Sequence, residues 1–546
     1  MCEHESIEVG RRIESEGHYG TVRFVGNLQK PDTTKLYQDV TWVGIEWDKP
    51  SRGKHDGSYG GIRYFTTHHP SGGSFMRPQK CNLGVNFMTA LANRYCGPSV
   101  ATKLSEIPVF RQNHVSEVDS FSTDGIEQQK SSISKLSTAS LHGMFVHDGG
   151  SDGDIAPYVA SVTDLDLSMN LLTDWSQIAL IINQMPQLKV LNVSDNRLHV
   201  PHEGVSVSCD IQVLYLNRMH YDWPNVSCCA QLFAAHLQEL HACYNQIENI
   251  ENVLFSPFTE ILLVNVEGNP LASWNALLSL GDLPQLQTLI ANECGLTSIR
   301  FPGSGTLSNF FSALESLSIS RNKIADWSSV SELNRLRSLS SLRFASNPLS
   351  EGDKASDARH IAVAKIAHLQ WCNGAAVSSI ERRDAELDYI RVYSSEWKCA
   401  GGNVNLDGPL DEAFVTEHSR YVELARKYGP PEECEMQQKR SSALKNNLVT
   451  VWLRSKSSSQ LLTKQLPVKM TVQKLKILVQ RAFKIADVSS IRLVYTFLKH
   501  PGDDKSHSSP LQSENSEVHI SIEMDNDLRE LSFYSLDNNA IIDVEW

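Results

Sequence analysis

Leu188-Lys189-Val190-Leu191-Asn192-Val193-Ser194-Asp195-Asn196-Arg197-Leu198 decides how this chain is read, because its apolar residues fall as a short strand followed by a turn. The pattern leucine-x-x-leucine-x-leucine-x-x-asparagine-x-leucine returns every 23 to 28 residues between Val162 and Leu349. Upstream it reads Val162, Leu165, Leu167, Asn170, Leu172. Downstream, Ile211, Leu214 and Leu216 are followed by Met219, so that copy lacks the asparagine. Then come Leu237, Leu240, Ala242, Asn245, Ile247 and Ile261, Val264, Val266, Asn269, Leu271. The last three are Leu286, Leu289, Ala291, Cys294, Leu296; Leu314, Leu317, Ile319, Asn322, Ile324; and Leu339, Leu342, Phe344, Asn347, Leu349.

Eight registered copies form a leucine-rich-repeat signature, too regular for a chance periodicity in a helical protein. Each unit supplies one short parallel strand and a less regular return segment. One unit cannot bury its apolar face alone, so the copies must stack into a curved solenoid. The recurring asparagine satisfies backbone groups at the turn after each strand. Met219 and Cys294 cannot do so in the same way, which predicts looser or differently bonded turns there.

The residue between the two strand leucines points away from the core. Across the copies this gives a column of Asp166, Asn192, Tyr215, His241, Asn265, Ile290, Ser318 and Arg343. Two positions on lies Ser168, Ser194, Asn217, Cys243, Glu267, Asn292, Ser320 and Ala345. This mixed surface suits a folded protein partner better than a nucleic-acid track or a catalytic cleft. Tyr215 and His241 are the central contact candidates, since broad amphipathic side chains carry interface energy at low entropy cost. Asp166, Asn192, Asn265 and Arg343 accompany them. The alternative is that Tyr215 and His241 only cover the solenoid, with contacts on repeat edges or return loops.

The 546 residues give room for several domains, and 41% apolar with 21% charged residues describe a globular protein. A net charge of −13 argues against nucleic-acid or anionic-membrane binding, which need a basic field. Eleven cysteines without a CxxC pair are read as reduced and mostly buried thiols. Glu3, Glu5 and Glu8 near the start leave no signal-peptide pattern, and no run of eighteen apolar residues occurs, so the expected home is the cytoplasm. No nucleotide loop, metal set or covalent-catalysis motif stands out. The expectation is no enzyme, with no catalytic residue, cofactor or metal.

Residues 10–84 form a glycine-dense β module with strands expected at Gly20 to Val25, Val40 to Trp47 and Ile62 to Phe65. Gly53-Lys54 is followed by His55, and Asp48 stands where a phosphate-binding loop needs its first glycine, which excludes that loop. Trp42-Val43-Gly44-Ile45-Glu46-Trp47-Asp48, Gly53-Lys54-His55-Asp56-Gly57, Gly61-Ile62-Arg63-Tyr64-Phe65 and Gly73-Ser74-Phe75-Met76-Arg77 resemble a CAP-Gly domain. That family binds acidic carboxyl-terminal tails ending in an aromatic residue, above all the tail of α-tubulin. Its central motif is Gly-Lys-Asn-Asp-Gly, so His55 replaces an asparagine and changes ring shape and available charge. The resemblance implies pairing of Lys54 and Arg77 with tail carboxylates and a slot for the aromatic end from Tyr37, Trp42 and Phe75. Amides around Gly53 to Gly57 are expected to add a backbone nest. Trp42 and Phe75 taken singly are equally readable as core residues.

Residues 85–157 are expected to be a linker and amino-terminal flank of the repeats, exposed and mobile over Val115 to Asp154, with Leu104 to Phe110 leading into it. Asp148, Asp152 and Asp154 lack EF-hand spacing. After the repeats of 158–350, residues 351–430 carry helical spacing, first over Ala358 to Trp371, then around Ile380 to Tyr389, then over Asp411 to Tyr428. They read as the cap of the last repeat and a helical extension. Beyond a linker at 431–445, residues 446–546 give strands at Leu448 to Leu453 and Leu461 to Leu466. A helix capped by Thr471 with Val472, Leu475, Val479 and Phe483 on one face follows, then strands at Ile491 to Phe497 and Glu517 to Glu523. That order resembles a ubiquitin-like fold, ending in Asp543-Val544-Glu545-Trp546 without a diglycine, and Lys505 to Pro510 read as a surface loop.

The expected class is therefore multidomain: a small β module, an α/β repeat solenoid with a helical cap, and an α+β ubiquitin-like end. The module order resembles the tubulin-folding cofactor E family over nearly the whole chain. The resemblance implies binding of α-tubulin and of the αβ-tubulin heterodimer. It also implies action with other tubulin cofactors, the D and C types, in heterodimer assembly and dissociation, and an association with the cytoskeleton. The first module would take the tail and the solenoid the folded body, the linker raising their mutual effective concentration. The last module is left for another cofactor or a regulatory partner. Glu545-Trp546 imitates a client tail and raises the further idea that it fills the first module at rest. The competing reading is a microtubule-binding scaffold without chaperone activity.

Overall fold

The computed structural model describes residues 7–29, 40–96, 133–251, 258–303, 310–350 and 355–431, and in the last module 448–456, 461–485, 487–499, 518–524, 527, 529–534, 536 and 540–546. The chain divides into two compact units, residues 1–431 and 432–546.

The first unit begins with strands β1 Arg12–Ser15, β2 His18–Gly26, β3 Trp42–Trp47, β4 Ser58–Tyr59, β5 Ile62–Arg63 and β6 Gly73–Met76. Four of them make an antiparallel sheet in the order β1-β2-β3-β6, while β4 and β5 form a separate hairpin. Alternation along β3 turns Val43, Ile45 and Trp47 inward onto Ile13 and Val22, which closes the small core.

The chain then passes directly into the solenoid. Strand β7 Val85–Asn86 precedes a helix Phe87–Tyr95, N-capped by the Asn86 side chain and burying Phe87, Ala90 and Leu91. Strand β8 Thr138–Ser140 pairs with the first repeat, and β9 Val146–Asp148 pairs in parallel with β7. The expected mobile stretch is thus corrected over its described part, residues 133–154: it caps the solenoid, and Ala139, Leu141 and Val146 are fully buried. Asp148 is half-buried beside His147 at 2.9 Å, while Asp152 and Asp154 are exposed. The apolar residues here are too few and too diluted by serine and glycine for composition to reveal the cap. Leu104 to Phe110 and residues 115–132 lie outside the described residues.

The eight copies form β10 Asp164–Asp166, β11 Val190–Asn192, β12 Val213–Tyr215, β13 Glu239–His241, β14 Leu263–Asn265, β15 Thr288–Ile290, β16 Ser316–Ser318 and β17 Ser341–Arg343. With β8 before them and the hairpin β18 Trp371–Cys372 and β19 Ala375–Ala376 after, they build one eleven-stranded sheet. Pairing is parallel until that closing hairpin. The central residue of each repeat strand, from Leu165 to Leu342, is buried between half-buried or exposed neighbours. Each such leucine contributes about 2 kcal/mol of burial.

The asparagines act as rungs between turns. Asn269 Nδ2 donates to the Ala242 and Val266 carbonyls at 2.9 and 2.8 Å, and its Oδ1 accepts the Asn245 and Ile247 amides. At Cys294 the thiol takes over part of this, reaching the Val266 and Asn292 carbonyls at 3.3 and 3.2 Å. Four return segments open on a tryptophan after a capping side chain: Asp174 before Trp175, Asp222 before Trp223, Ser273 before Trp274 and Asp326 before Trp327.

Behind β17 the cap contains helices Ala355–Lys365, Ser379–Val392, Ser394–Cys399, Glu412–Glu417 and Tyr421–Tyr428. The helix expected over Ala358 to Trp371 stops at Lys365 because Trp371 enters β18. The one expected over Asp411 to Tyr428 is two, broken at His418 with φ −122°.

The second unit contains β20 Leu448–Ser455, β21 Leu461–Pro467, a helix Val472–Phe483 capped by Thr471, β22 Arg492–Lys499, β23 Val518–Glu523 and β24 Ala540–Glu545. The sheet order β21-β20-β24-β22-β23, with β24 parallel to β20, is ubiquitin-like. Val472, Leu475 and Val479 are buried under the helix, and Phe483 is partly buried. The final strand was not foreseen, and it places Glu545 at the end of a paired strand with Trp546 directly after it. Glu545 is in register with Arg492 and pairs with Lys456 at 2.6 Å, and the Trp546 ring lies 5.7 Å from that of Phe483. Lys505 to Pro510 lie outside the described residues.

Candidate functional site

The glycine-rich loop is fixed by close backbone approach. A Cβ on Gly53 would meet the Ser71 carbonyl at 2.0 Å, and Gly57, with φ +94°, would press one onto the Phe65 carbonyl at 2.1 Å. Asp56 accepts the Ser58 amide and pairs with Arg63 at 2.6 Å. His55 Nδ1 accepts the Gly57 amide at 3.0 Å, as an asparagine side chain would two residues on, and its ring stacks on Phe75 at 4.8 Å. Burial holds this imidazole below its ordinary pKa against the opposing charge of Asp56.

The nest expected from Gly53 to Gly57 is not available. The Lys54 and His55 amides donate to the Gly73 carbonyl, the Gly53 amide to Pro50, and the Gly57 amide to His55. These four amides therefore serve the turn itself, and the groups left facing the groove are side chains.

Those side chains surround a groove of about 510 Å³. Trp42, Trp47, Tyr59 and Phe75 give it aromatic walls, while Lys54, Arg52, Arg77 and Lys80 stand around it against the single carboxylate of Glu16. The Arg77 guanidinium lies 3.9 Å from the Trp42 ring centre, and that of Arg52 lies 5.3 Å from Trp47. Arg52 also pairs with Glu16 at 2.5 Å. Ser74 Oγ and Arg77 Nη1 are buried without a hydrogen-bond partner among the described residues. Of the residues named from the sequence, Trp42, Lys54, His55, Phe75 and Arg77 meet at the groove. Gly53, Asp56 and Gly57 shape its loop, and Tyr37 lies outside the described residues. Arg52, Trp47, Tyr59 and Lys80 were missed. Arg52, directly before the glycine-lysine pair, was the most readable of them.

On the solenoid the predicted column lies in register from Asp166 through Asn192, Tyr215, His241 and Asn265 to Arg343. Tyr215 and His241 stack at 4.3 Å and 15°, both half-buried. Burial lowers the His241 pKa, opposed by the neighbouring Glu239. Asp166, Asn192 and Asn265 each accept the amide two residues on, from Ser168, Ser194 and Glu267, and so also serve the turns. Arg343 is exposed.

Among the described residues no group of histidine, cysteine and acidic side chains could hold a metal ion, and no helix is long and apolar enough to cross a membrane. Nine described cysteines are free, four of them buried, four half-buried and Cys399 exposed.

The CAP-Gly domain family matches residues 9–81. Tubulin-specific chaperone E of Bos taurus is 36% identical over 553 residues, covering 98% of both chains. Tubulin-folding cofactor E of Arabidopsis thaliana is 29% identical over 502 residues, covering 89% of this chain and 91% of that one. A solved structure, the carboxyl-terminal ubiquitin-like domain of mouse tubulin-specific chaperone E, is 33% identical with a TM-score of 0.15, covering 20% of this chain and 94% of that domain.

Proposed function

The chain belongs to the tubulin-specific chaperone E family and is a tubulin-folding chaperone, and from that premise we propose that it grips α-tubulin at two places. The groove of the first module takes the acidic carboxyl-terminal tail. Lys54, Arg77, Arg52 and Lys80 meet its carboxylates, and the aromatic end lies against Trp42 and Phe75. The solenoid face around Tyr215 and His241 takes the folded body. The observation that carries this reading is the groove, with four cations standing around aromatic walls.

The protein acts without catalysis in the cytoplasm, associated with the cytoskeleton. It works with the D and C types of tubulin cofactor on assembly of the αβ heterodimer and on its dissociation. The ubiquitin-like module serves a further cofactor or a regulatory partner.

The test measures binding of the full-length chain to free αβ-tubulin and to polymerised microtubules, beside a Lys54→Glu variant. Preferential capture of free tubulin, weakened roughly tenfold by the variant, is the expected result. Tight binding to the polymer without capture of subunits would instead favour a microtubule scaffold.

A further inference from the structure

The first module is seated on one edge of the solenoid. The Tyr19 hydroxyl donates to the Met169 carbonyl at 3.3 Å, and its ring lies 6.2 Å from that of Phe145. Asp48, held by Arg12 at 2.5 Å, stands 3.8 Å from Arg197 of the second repeat. Arg197 in turn donates to the Arg218 carbonyl at 3.3 Å. Asp48 follows Trp47, so the wall of the groove and the seat on the repeats meet at one turn.

That edge is built from one position per repeat, the residue just before the asparagine rung, where the turn needs a positive φ. Met169, Asp195, Arg218, Tyr244, Glu293 and Arg321 all have φ between 54° and 59°. Gly268 fills the same position, and a Cβ there would strike the Tyr244 ring at 2.3 Å. The Tyr244 ring therefore lies flat over that glycine. It receives the Arg218 guanidinium at 4.8 Å, and its hydroxyl reaches Glu267 at 3.1 Å and Glu293 at 3.4 Å. Glu293 is bonded to Arg321 on the next rung.

We propose that this edge, which each repeat enters three residues after its face position, adds to the Tyr215 and His241 face a shelf, centred on Tyr244 and running to Arg321, on which the folded body of the tubulin subunit rests while its tail occupies the groove. Three features select that occupant. The shelf continues the interface on which the groove module already sits, so one partner can cover both. Tyr244 stays 39% exposed although cation, carboxylates and glycine hold it in place, which is the form of an interface anchor prepared before binding. Both signs of charge flank it, which suits a folded surface better than a uniformly acidic segment. The spacing also fits. Strands stand about 4.8 Å apart, so Tyr244 is about 14 Å and Arg321 about 29 Å along the edge from the Met169 rung. An extended tail of about nine residues spans the longer distance.

The inference rests on the groove reading, and the experiment separates the two. Full-length chain carrying Tyr244→Ala with Arg321→Glu is titrated with αβ-tubulin, with an acidic peptide ending in tyrosine, and with tubulin whose tails have been removed by protease. The expected result is a loss of roughly tenfold or more for both forms of tubulin, with peptide affinity unchanged. Unchanged affinity for tubulin overturns the shelf. Equal loss of peptide and tubulin binding also overturns it, because these residues would then act through the groove or the fold. Lys54→Glu in parallel reads the groove alone: its failure to weaken the peptide overturns the tail reading, while the tail-less tubulin still reports on the shelf.

Discussion

His55 Nδ1 accepts the amide hydrogen of Gly57 at 3.0 Å, so a neutral imidazole does the turn-closing work that an asparagine side chain would do. A proton on Nδ1 removes that acceptor. Burial already lowers the His55 pKa, against the opposing charge of Asp56. The folded state therefore favours the neutral ring. This contribution to stability is complete above the unfolded value of about 6.5 and is lost as pH falls from there through the lowered folded value. The protection factor of the Gly57 amide, its exchange relative to the intrinsic rate at each pH, should fall over that window. His55→Asn should keep the loop and remove the pH dependence, whereas His55→Ala should cost about 1 kcal/mol at neutral pH.

The ladder of asparagines predicts two opposite substitutions. Asn269 bonds the Asn245 and Ile247 amides and the Ala242 and Val266 carbonyls, and Asn269→Leu would strand them inside the solenoid. A loss of about 3 kcal/mol or more is expected in denaturant unfolding. Cys294 holds the same position with a weaker donor and no amide oxygen. Cys294→Asn should complete the rung and gain about 1 kcal/mol. A gain at Cys294 as large as the loss at Asn269 would contradict this account.

The repeat spacing made the solenoid readable, because stacking forces identical solutions at each turn, and the in-register column from Asp166 to Arg343 follows from period-two alternation. The edge column of Arg218, Tyr244 and Glu293 was not read, since positive φ at non-glycine residues leaves no compositional mark. One legible signal was passed over. The pairs Asp174-Trp175, Asp222-Trp223, Ser273-Trp274 and Asp326-Trp327 announce a capped return segment each time. In the groove, Lys54 and Arg77 were legible through motif spacing. The spent loop amides were not, because their partner, the Gly73 carbonyl, comes from a distant strand.

Lys365 and His418 give the cap an unusual pH response. The Lys365 ammonium is buried on Ser331 Oγ at 3.0 Å and the Glu417 carbonyl, and burial pushes its pKa down to about 7 from 10.5. His418, 2.6 Å from the Tyr389 hydroxyl, is pushed by burial and by Lys365 from 6.5 down to about 3. Both folded values lie below the unfolded ones, so the folded cap prefers the neutral forms. Stability should rise as pH increases from about 7 to 10.5 for the lysine and fall as pH drops from 6.5 toward 3 for the histidine. Thermal melts should show Lys365→Met flattening the alkaline limb and His418→Gln the acid limb. An unchanged slope in either variant would assign that limb to other groups.

The end of the chain makes a stability prediction in place of a regulatory one. Glu545 lies in the β24 ladder opposite Arg492 and pairs with Lys456, while Trp546 leans on Phe483 at the end of the helix. Asp543, three residues earlier, takes a bidentate bond from Arg454 at 2.6 and 2.9 Å on the neighbouring strand. The end of β24 is thus tied to its own sheet by Arg454, Arg492 and Lys456. Deleting Glu545 and Trp546 should therefore lower the stability of the ubiquitin-like module by about 1 to 2 kcal/mol, from the lost packing of the Trp546 ring and the end of β24. Affinity of the full chain for an acidic tail peptide should stay the same. A clear rise in that affinity would support self-occupancy and require β24 to fray at its end.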